Sequence, residues 1–407
     1  MKRTTPRQFI GFQTALKRTL SKIKPLKVVE KALAESVGCV SAEKLRARVD
    51  SPSADVSMKD GYAVRSADIE GTLRNTAVRL RLDGVAAAGE KRRLAVGPGS
   101  AVRILTGALL PENADAVVAE EFAQCDDDHV SIEAHAEPGR NILGRGSDIA
   151  KDKVLIEAGH VLAPGMIGFL AAGGHDRIRT YRQPQVALIA TGDELVLPGQ
   201  PLTQGKLYAS NMLTLAAWCR RYGFKTELDI IFDEESILKE KLLFGIKHND
   251  AVITSGGAWS GDRDLMARVL DDLGWEKVYH RVRLGPGKAV GLWMFQGKPV
   301  FILPGGPPSN LVAFLQLALP GILKLAGCKT PGLRPIITKL TKTVEGQSDW
   351  TQAVFGFLQM KKDQSYFRPA KGSSRLRDLA EAEGLLLVPE GVTKIRAGQK
   401  AVVQLLI

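Results

Sequence analysis

Three short apolar runs, each ending abruptly at a small, polar loop, constrain the fold more than any other feature of the sequence. The runs are Val186–Ala190, Ala251–Ile253 and Val300–Leu303, and segments long enough for helices separate them. Continuous apolar runs of this length are typical of strands buried on both faces of a parallel sheet. Ligands of such sheets bind beyond the carboxyl ends of the strands. The sequence therefore predicts a central α/β domain with its functional loops on one edge.

The loops after these runs combine glycine, hydroxyl and carboxylate groups. They read Thr191-Gly192-Asp193-Glu194, Thr254-Ser255-Gly256-Gly257 and Pro304-Gly305-Gly306-Pro307-Pro308-Ser309. The second loop continues through Asp262 and Asp264 into a predicted helix at Leu265–Leu273. A glycine-rich loop before a helix can bind an anion through its N–H groups, and the two carboxylates could bring a divalent cation to it. A helix cap with an acidic first turn explains the same residues equally well.

Local patterns elsewhere predict further elements. We expect helices at 6–22 and 28–37, the second closed by Gly38, and a strand at Thr226–Phe232. Asp233 follows that strand and is predicted to cap the next helix. From about residue 329 the pattern changes to short alternating strands, which indicates a small β-barrel or sandwich.

Three polar loops outside the central domain are further candidates for a site. Asp60 lies in a loop dense in small and acidic residues, Thr106-Gly107 follows a predicted strand, and Asp148 ends the glycine-punctuated basic loop that begins at Gly139. A hydroxyl and an open amide at Thr106-Gly107 would suit a phosphate. Simple turns explain the Asp60 and Thr106 loops as well, and an Asp-Gly pair is common where a strand begins.

Composition limits the class of protein. The 407 residues exceed what one core supports, so several domains are expected. The longest apolar stretch, Leu311–Ala326, is interrupted by polar residues and proline, so we expect no membrane span. The N-terminus is basic without an apolar segment behind it, which argues against a secretory signal. The four cysteines are widely spaced, which favours reduced thiols and a cytoplasmic location.

The net charge of +12 leaves nucleic-acid binding as a minor alternative. The basic residues are scattered over both ends of the chain, and no recognition module accompanies them. We therefore expect no nucleic-acid partner, and we interpret the charge as a solvated surface or a funnel for an anionic small molecule.

Four stretches in a fixed order carry a family resemblance. They are Asp55–Val64, Ile189–Leu195, Val252–Asp264, and Pro286-Gly287-Lys288 together with Leu303–Ser309. Each motif alone is weak, but the ordered set resembles the MoeA family of molybdopterin molybdenumtransferases, similar to the E domain of gephyrin. The resemblance covers nearly the whole chain, and departures from the family pattern leave open that the chain is a divergent paralogue.

The resemblance implies an α/β multidomain fold and a homodimer. Its central MogA-like domain, a three-layer α/β domain with a parallel-rich sheet, would span 183–328. An elongated linking and dimerisation domain would combine 1–50 with 139–182. A β-rich domain carrying Asp60 and Thr106 would span 51–138, and a small C-terminal β-barrel 329–407. The active site of the central domain would be met by the Asp60 domain of the partner subunit.

The resemblance also implies the reaction and its residues. Molybdate would be inserted into adenylylated molybdopterin with release of AMP and molybdenum cofactor, with Mg²⁺ bound. Possible partners are a MogA-like adenylyltransferase and molybdoenzyme clients. The catalytic residues implied are Asp60, Thr106, Asp148, Glu194, Asp233 and Asp264. The Mg²⁺ ligands implied are Glu194, Asp233, Asp262 and Asp264. The substrate-binding residues implied are Thr191, Gly192, Asp193, Ser255, Gly256, Gly257, Asp262, Arg281, Lys288, Pro304, Gly305, Pro307, Ser309 and Ser373.

Several positions depart from the family pattern. Gly285 stands where the family usually has lysine, Gly306 where its loop has asparagine, and Gln347 near the place of an arginine. An upstream lysine of the family aligns with Arg281, and Arg281 or Arg283 is a candidate replacement for the cation missing at Gly285. Losing a charge-assisted hydrogen bond would weaken anion binding by about 1–3 kcal/mol.

Two functions therefore remain open from the sequence. One is the insertase, acting on molybdate or with a preference for tungstate. The other is a carrier or scaffold that holds the pterin or a client enzyme without turnover.

Overall fold

The central sheet has six strands, and four of them run parallel. The computed structural model describes residues 9–73, 75–90, 94–256, 265–361, 363–370 and 375–406. In spatial order the strands are Lys225–Ile231, Gln185–Thr191, Ala251–Ser255, Lys298–Leu303, Gly291–Phe295 and Glu276–His280. The first four are parallel to their neighbours, and the last two form antiparallel pairs. The three predicted strands are thus confirmed as adjacent, parallel and buried.

Helices cover both faces of this sheet. Val186 and Leu188 face the helices Ser210–Arg221 and Pro307–Leu325, whereas Ala187 and Ile189 face Glu235–His248 and Leu265–Asp272. Successive strand residues point to opposite faces, so an apolar run without polar alternation requires cover on both sides. The predicted three-layer α/β arrangement is confirmed.

The core helix Pro307–Leu325 is long, apolar and mostly buried. Its segments are an α-helix at Pro307–Ala313, a π-helical stretch at Phe314–Ala318 and an α-helix at Leu319–Leu325. By length and composition alone this 19-residue helix could cross a membrane, but 83% of its apolar window is buried inside the protein. Gln316 lies in the π-helical stretch and donates to the Gln404 side chain at 2.7 Å, which ties the helix to the last strand of the tail.

The first half of the chain contains a second six-stranded sheet. Its spatial order is Ala116–Ala119, Gly61–Val64, Ser100–Ile104, Val78–Ala86, His129–Ile132 and Ala123–Asp126. Short 3₁₀ turns at Ser66–Ile69 and Glu120–Phe122 connect some of these strands. The sheet presents Asp60 at the start of one strand and Thr106 beyond the end of its neighbour.

A linking region of short strand pairs joins the two halves. Val28–Ala32 pairs with Arg177–Tyr181, Leu45–Arg46 with Val154–Ile156, and Val56–Ser57 with Ile142–Leu143. The helix Pro164–Ala172 belongs to this region, whereas the helix Phe12–Lys22 packs against the core helix of the central domain. The predicted helix at 28–37 is wrong, because the segment pairs as a strand and only Leu33–Glu35 forms a 3₁₀ turn. The β-branched Val28 and Val29 favour the strand. The other predicted helix begins at Phe12 rather than at residue 6.

The tail closes into a five-stranded barrel. Thr351–Lys361 pairs with both Gln364–Pro369 and Gly384–Val388, and Pro335–Leu340 with Lys400–Leu405 complete the circle. Val282–Gly285 and Ile10–Gly11 extend this sheet outward in parallel. The sequence prediction missed the strand Gln364–Pro369 and the helix Arg375–Glu381. The remaining short pairs are Leu195–Val196 with Leu207–Tyr208 and Val344–Glu345 with Lys394–Ile395.

Candidate functional site

Four loops meet at the carboxyl edge of the central sheet. They follow the strands that end at Thr191, Ile231, Ser255 and Leu303. The chain passes from Gln185–Thr191 to the strand on one side of it and then returns to the other side, so the two connections diverge at this edge. A divergence of this kind opens the crevice in which α/β sheets bind ligands.

Glycine lets the loops of this crevice touch. Gly256 has a φ of 105°, and a Cβ added there would lie 2.2 Å from the backbone oxygen of Thr191. A Cβ added at Gly305 would lie 3.7 Å from the Cα of Gly256. The loops after three neighbouring strands are therefore in contact through their backbones, and position 256 has no room for a side chain.

Three carboxylates cluster beside the crevice. The Asp193 Oδ1 accepts a hydrogen bond from the Asp233 backbone N–H at 3.1 Å, and a Cβ added at Gly192 would lie 2.6 Å from the Glu194 carboxylate. The pKa of Asp233 is raised above its usual 3.8, first by burial of its carboxyl group and then by the charges of Asp193 and Glu194; the Thr191 hydroxyl opposes the rise. Although the residue as a whole is exposed, its charge is unfavourable there. A bound cation would reverse that balance.

The predicted cap at Asp233 is wrong. The helix begins at Glu235 with Glu234 in the N-cap position, and no side chain of the described residues caps it. Asp233 instead remains in the loop with the other two carboxylates. The cap prediction considered only the residues next to Asp233 in the sequence. In the structure, the strand Gln185–Thr191 runs parallel to Lys225–Ile231, so the loop after it brings Asp193 to Asp233.

Two asparagines that the sequence analysis did not select hold the Pro304–Ser309 loop. Asn310 is 1% exposed, and its Nδ2 donates to the Ser255 Oγ and to the Pro304 oxygen, both at 2.9 Å. The Asn211 Nδ2 donates to the Gly305 oxygen at 2.7 Å. The only sequence signal is that each asparagine stands just before an apolar stretch, a place where asparagine is common at the start of a helix.

Two adjoining cavities open at this edge. One, of about 390 Å³, is bordered by the loops, by Glu194 and by the apolar segment that contains Leu202 and Leu207. The other, of about 560 Å³, lies between the helices Ser210–Arg221 and Arg375–Glu381. The two share the lining residues Ser210, Asn211, Pro307 and Leu376. Their combined size suits a ligand larger than a single small anion.

The basic turn at 281–288 borders the same loop. A Cβ added at Gly287 would lie 3.4 Å from the Ser309 oxygen, and Lys288 is exposed. Arg281 is 9% exposed with a φ of 72°. Arg283 forms an ion pair with Glu390 at 3.0 Å and donates to the Phe9 oxygen at 3.2 Å. Arg283 is therefore already committed elsewhere and does not replace the cation missing at Gly285.

The side chains at Asp60 and Thr106 form a second cluster. The Asp60 Oδ1 accepts hydrogen bonds from the Thr106 backbone N–H at 2.6 Å and from its Oγ1 at 2.8 Å. These two bonds, the backbone one first, hold the pKa of Asp60 below 3.8. The sequence proposed both residues separately, and the structure brings them together at an exposed edge.

Asp148 lies in another loop, which contacts residues 50 and 51. Its backbone N–H donates to the Ser51 oxygen at 3.1 Å, while the neighbouring Arg145 pairs with Asp50 at 2.8 Å. The carboxylate of Asp148 is exposed. Among the remaining predicted site residues, Gly257, Asp262, Asp264 and Ser373 lie outside the described residues.

These features define a class of protein. It is a multidomain α/β protein whose central three-layer domain carries a loop-built crevice at the switch point of its sheet, with carboxylates on one side and a basic turn on the other. A β-rich domain with an exposed Asp–Thr pair, a linking region and a closed barrel complete it.

Comparison with known proteins identifies the family. Residues 10–174 match the MoeA N-terminal region (domain I and II), residues 187–324 a probable molybdopterin binding domain, and residues 339–406 the MoeA C-terminal region (domain IV). The molybdopterin molybdenumtransferase of Nostoc sp. is 32% identical over 90% of this chain and 86% of its own. Molybdopterin molybdenumtransferase 2 of Mycobacterium tuberculosis is also 32% identical, over 90% and 92%. The chain belongs to the MoeA family.

Solved structures agree with this assignment. A crystal structure of the molybdopterin biosynthesis MoeA protein from Pyrococcus horikoshii is 31% identical, covers 98% of this chain and 99% of its own, and has a TM-score of 0.77. A second structure of the MoeA protein from that organism has a TM-score of 0.81 at 25% identity. The predicted family, the fold class and the assignment to a transferase of molybdenum cofactor biosynthesis are confirmed.

Proposed function

We propose that this protein inserts molybdate into adenylylated molybdopterin and releases AMP and molybdenum cofactor. The observation that carries the proposal is the crevice itself, where contacting glycine loops lie beside three carboxylates at the switch point of the sheet. A substrate with a pyrophosphate needs both features, because N–H groups bind its oxygens and carboxylates recruit the cation that offsets its charge.

The substrate would lie across the crevice. The Gly256 N–H already donates to the Leu303 oxygen at 3.2 Å. The N–H groups of the exposed Gly305 and Gly306, together with the Lys288 ammonium, would therefore bind phosphate oxygens. The loops would line the site through Thr191, Gly192, Asp193, Ser255, Gly256, Pro304, Gly305, Pro307 and Ser309. Arg281, at the start of the basic turn, is nearly buried and would support the site from there. The two adjoining cavities would take the larger, organic parts of the substrate.

The chemistry of the described carboxylates fits Mg²⁺. No three His, Cys, Asp or Glu side chains of the described residues are grouped as a ready-made metal site. Mg²⁺ is usually held by one or two carboxylates with waters and substrate phosphates, so Glu194 and Asp233 suffice as protein ligands, and Asp262 and Asp264 could complete the set. When bound, the ion would polarise the pyrophosphate as a Lewis acid. The raised pKa of Asp233 is the observation that supports this placement.

A homodimer would bring the Asp60–Thr106 pair to the crevice of the partner subunit. The helix Pro164–Ala172 supports a dimer, because its sequence is almost wholly apolar and Leu170 is its one buried residue. Phe169 is 41% exposed on it. An apolar helix of this kind, left open on a monomer, is typical of an interface. Asp148 would act together with Asp60. We place the protein in the cytoplasm, with a MogA-like adenylyltransferase and molybdoenzymes as partners.

One observation favours the carrier hypothesis as a second candidate. A Cβ added at Gly285 would lie 3.1 Å from the Gln352 amide group, so a neutral side chain occupies the space beside the position where the family has lysine. A site with less positive charge would bind an oxyanion less tightly. This would favour holding the pterin over completing the insertion.

An AMP-release assay decides between the two. Purified protein is given adenylylated molybdopterin, Mg²⁺ and either molybdate or tungstate, and AMP is measured over time. Release that depends on one oxyanion and is lost in Glu194→Ala would establish the insertase and name its metal. Tight binding of the pterin without AMP release from either oxyanion would overturn the insertase in favour of the carrier.

A further inference from the structure

Asn211 and Asn310 act together on one loop of the proposed site. They donate to the oxygens of two consecutive residues, Gly305 and Pro304, from two different helices. Asn310 donates at the same time to the Ser255 side chain, at the end of the neighbouring strand. The loop after Lys298–Leu303 is therefore tied to the loop after Ala251–Ser255 and to the start of the helix Ser210–Arg221.

The two amides act on the short part of the loop that precedes the helix, because Pro307–Ser309 already form the first turn of Pro307–Ala313 and the Gly306 oxygen accepts a hydrogen bond from the Asn310 backbone N–H at 2.8 Å. Pro304, Pro307 and Pro308 have no backbone N–H, so three of its six residues cannot donate a backbone hydrogen bond. Gly305 and Gly306 are both exposed, and glycine restricts the backbone least of all residues. The hydrogen bonds from the two asparagine side chains therefore restrict the backbone at Pro304 and Gly305.

The hydrogen bonds from the two asparagines also determine which way the backbone N–H groups of the loop point. In a trans peptide, the N–H points opposite to the preceding C=O. The Pro304 oxygen points to the buried Asn310, and the Gly305 oxygen points to Asn211. The N–H of Gly305 therefore points away from the buried Asn310, and the N–H of Gly306 points away from Asn211.

We propose that Asn310 and Asn211 are positioning residues, which hold the Pro304–Ser309 loop in the orientation that binds the substrate phosphate groups. This inference rests on the proposed function for its ligand but not for its geometry. Neither asparagine would touch the reacting atoms. Losing the amide donors of either residue would leave the fold intact and allow the loop to reorient, which weakens binding of the phosphate-bearing ligand.

The test compares variants at Asn310 and Asn211 with a matched control. Asn249 is also a buried asparagine of the central domain, 6% exposed, and its Nδ2 also donates two hydrogen bonds, to Glu227 and to Gly245. It precedes the strand Ala251–Ser255 and so lies at the opposite edge of the sheet. Asn249→Ala reports the effect of losing a buried amide without disturbing the loop.

Two measurements separate positioning from general stability. Amide hydrogen exchange of the peptide that contains residues 305, 306, 309 and 310 should speed up in Asn310→Ala and Asn211→Ala, but not in Asn249→Ala. With AMP as the probe, the dissociation constant should rise about tenfold in the same two variants, the order of effect expected when a binding group is displaced by a fraction of an ångström. Unchanged exchange in both variants would overturn the proposal, as would unchanged AMP affinity in a parent protein that binds AMP.

An isosteric variant adds a readout that packing alone would not move. Asn310→Asp keeps the side-chain volume but replaces the donors with acceptors. At neutral pH it should bind AMP at least as weakly as Asn310→Ala. At lower pH the carboxyl group introduced by Asn310→Asp becomes protonated and regains one O–H donor, so the affinity of this variant relative to the parent protein should recover, while that of Asn310→Ala should not. A pH profile identical for the two variants contradicts the role of the donors.

The outcomes also distinguish this inference from the proposed function. Faster exchange in the loop, in a parent protein that neither binds AMP nor turns over, would retain the role of the asparagines and reject the insertase. If neither Asn310→Ala nor Asn211→Ala changes turnover or AMP affinity, the insertase proposal stands and the positioning role is rejected.

Discussion

Single carboxylates of this protein lie in opposite electrostatic environments. Asp60 accepts two hydrogen bonds from one threonine, which favours its charged form and lowers its pKa. Asp233 has partly lost solvent and faces two other carboxylates, which disfavours its charged form and raises its pKa. Separated pKa values of this kind are a common property of functional sites. In the proposed site, Asp60 would act as an anion and Asp233 as a ligand for a cation.

The first prediction concerns Asp233 and magnesium. Its raised pKa means that protonation stabilises the folded state, and that this contribution is lost as pH rises from 3.8 through the folded pKa. At pH 7 without metal, Asp233→Asn should therefore have a Tm equal to or above that of the parent protein. Mg²⁺ should raise the Tm of the parent protein and not that of the variant. Equal responses to Mg²⁺ in thermal unfolding would exclude Asp233 as a ligand.

The second prediction concerns the pair of Asp60 and Thr106. Its lowered pKa means that Asp60 contributes stability above its usual 3.8, and that this contribution is lost as pH falls through the folded pKa. Thr106→Val removes the hydroxyl donor but keeps the backbone N–H, which is the larger cause. The pKa of Asp60, followed by carboxyl ¹³C NMR, should rise part of the way to 3.8 in this variant. No change would show that the hydroxyl is not a partner of the carboxylate in solution.

At the scale of secondary-structure elements, the loops at the strand ends carry the candidate site, and the buried strands position those loops. The apolar runs predicted the buried strands because covering both faces of a sheet leaves no room for polar alternation. The segment 28–37 was predicted wrongly because Val28–Ala32 gains its stability by pairing with Arg177–Tyr181, about 150 residues away. Apart from the two β-branched valines at its start, this strand carries no local signal of its pairing. The missed strand Gln364–Pro369 forms a hairpin with Thr351–Lys361 and also pairs in parallel with Pro335–Leu340, and the second pairing contributes to closing the barrel.

The third prediction compares two glycines on the same edge of the sheet. Gly256→Ala would place a Cβ 2.2 Å from the Thr191 oxygen at a φ of 105°, and should lower the free energy of unfolding of the central domain by about 1–3 kcal/mol or more. Gly306→Ala has a φ of −70°, and no described atom lies within 4 Å of its added Cβ. It should change stability by less than about 0.5 kcal/mol. Urea unfolding measures both, and equal effects would mean that the loops are not in contact.

At the scale of the whole molecule, the two clusters of site residues belong to different sheets. Asp60 and Thr106 bond to each other, whereas the central carboxylates interact among themselves. Only an arrangement of subunits or domains can make one site from both. The proposed dimer would do so between partners, with the open apolar helix Pro164–Ala172 as its proposed contact surface.

The fourth prediction tests the shared site by mixing two inactive variants. Asp60→Ala and Glu194→Ala should each lack turnover while keeping the Tm of the parent protein. After subunit exchange, half of the dimers are heterodimers, and each has one intact site of two, so activity should recover to about one quarter of the parent value. A mixture that stays inactive after confirmed exchange would place both residues in one subunit's site.

The fifth prediction tests the dimer surface itself. Phe169→Glu puts a charge on the exposed apolar face of the helix Pro164–Ala172, where it would be buried in an interface but solvated in a monomer. Sedimentation should show a shift from dimer to monomer, and the activity should fall with it. Phe122→Glu is the control, because Phe122 is also exposed, at 54%, but lies outside this helix. A dimer unaffected by Phe169→Glu would move the interface elsewhere.

The sequence by itself determined the buried strands, the edge that carries the site and most of the loops that build it. Apolar runs, glycines and loop carboxylates express their roles locally, because burial and positive φ limit which residues a position accepts. Only the tertiary structure decided that Asp233 joins Asp193 rather than capping a helix, that Arg283 is taken by Glu390, and that Asn211 and Asn310 hold the Pro304–Ser309 loop. Each of these contacts joins segments that are far apart in the sequence and become neighbours only in the fold. The residues next to a side chain in the sequence do not reveal such a partner.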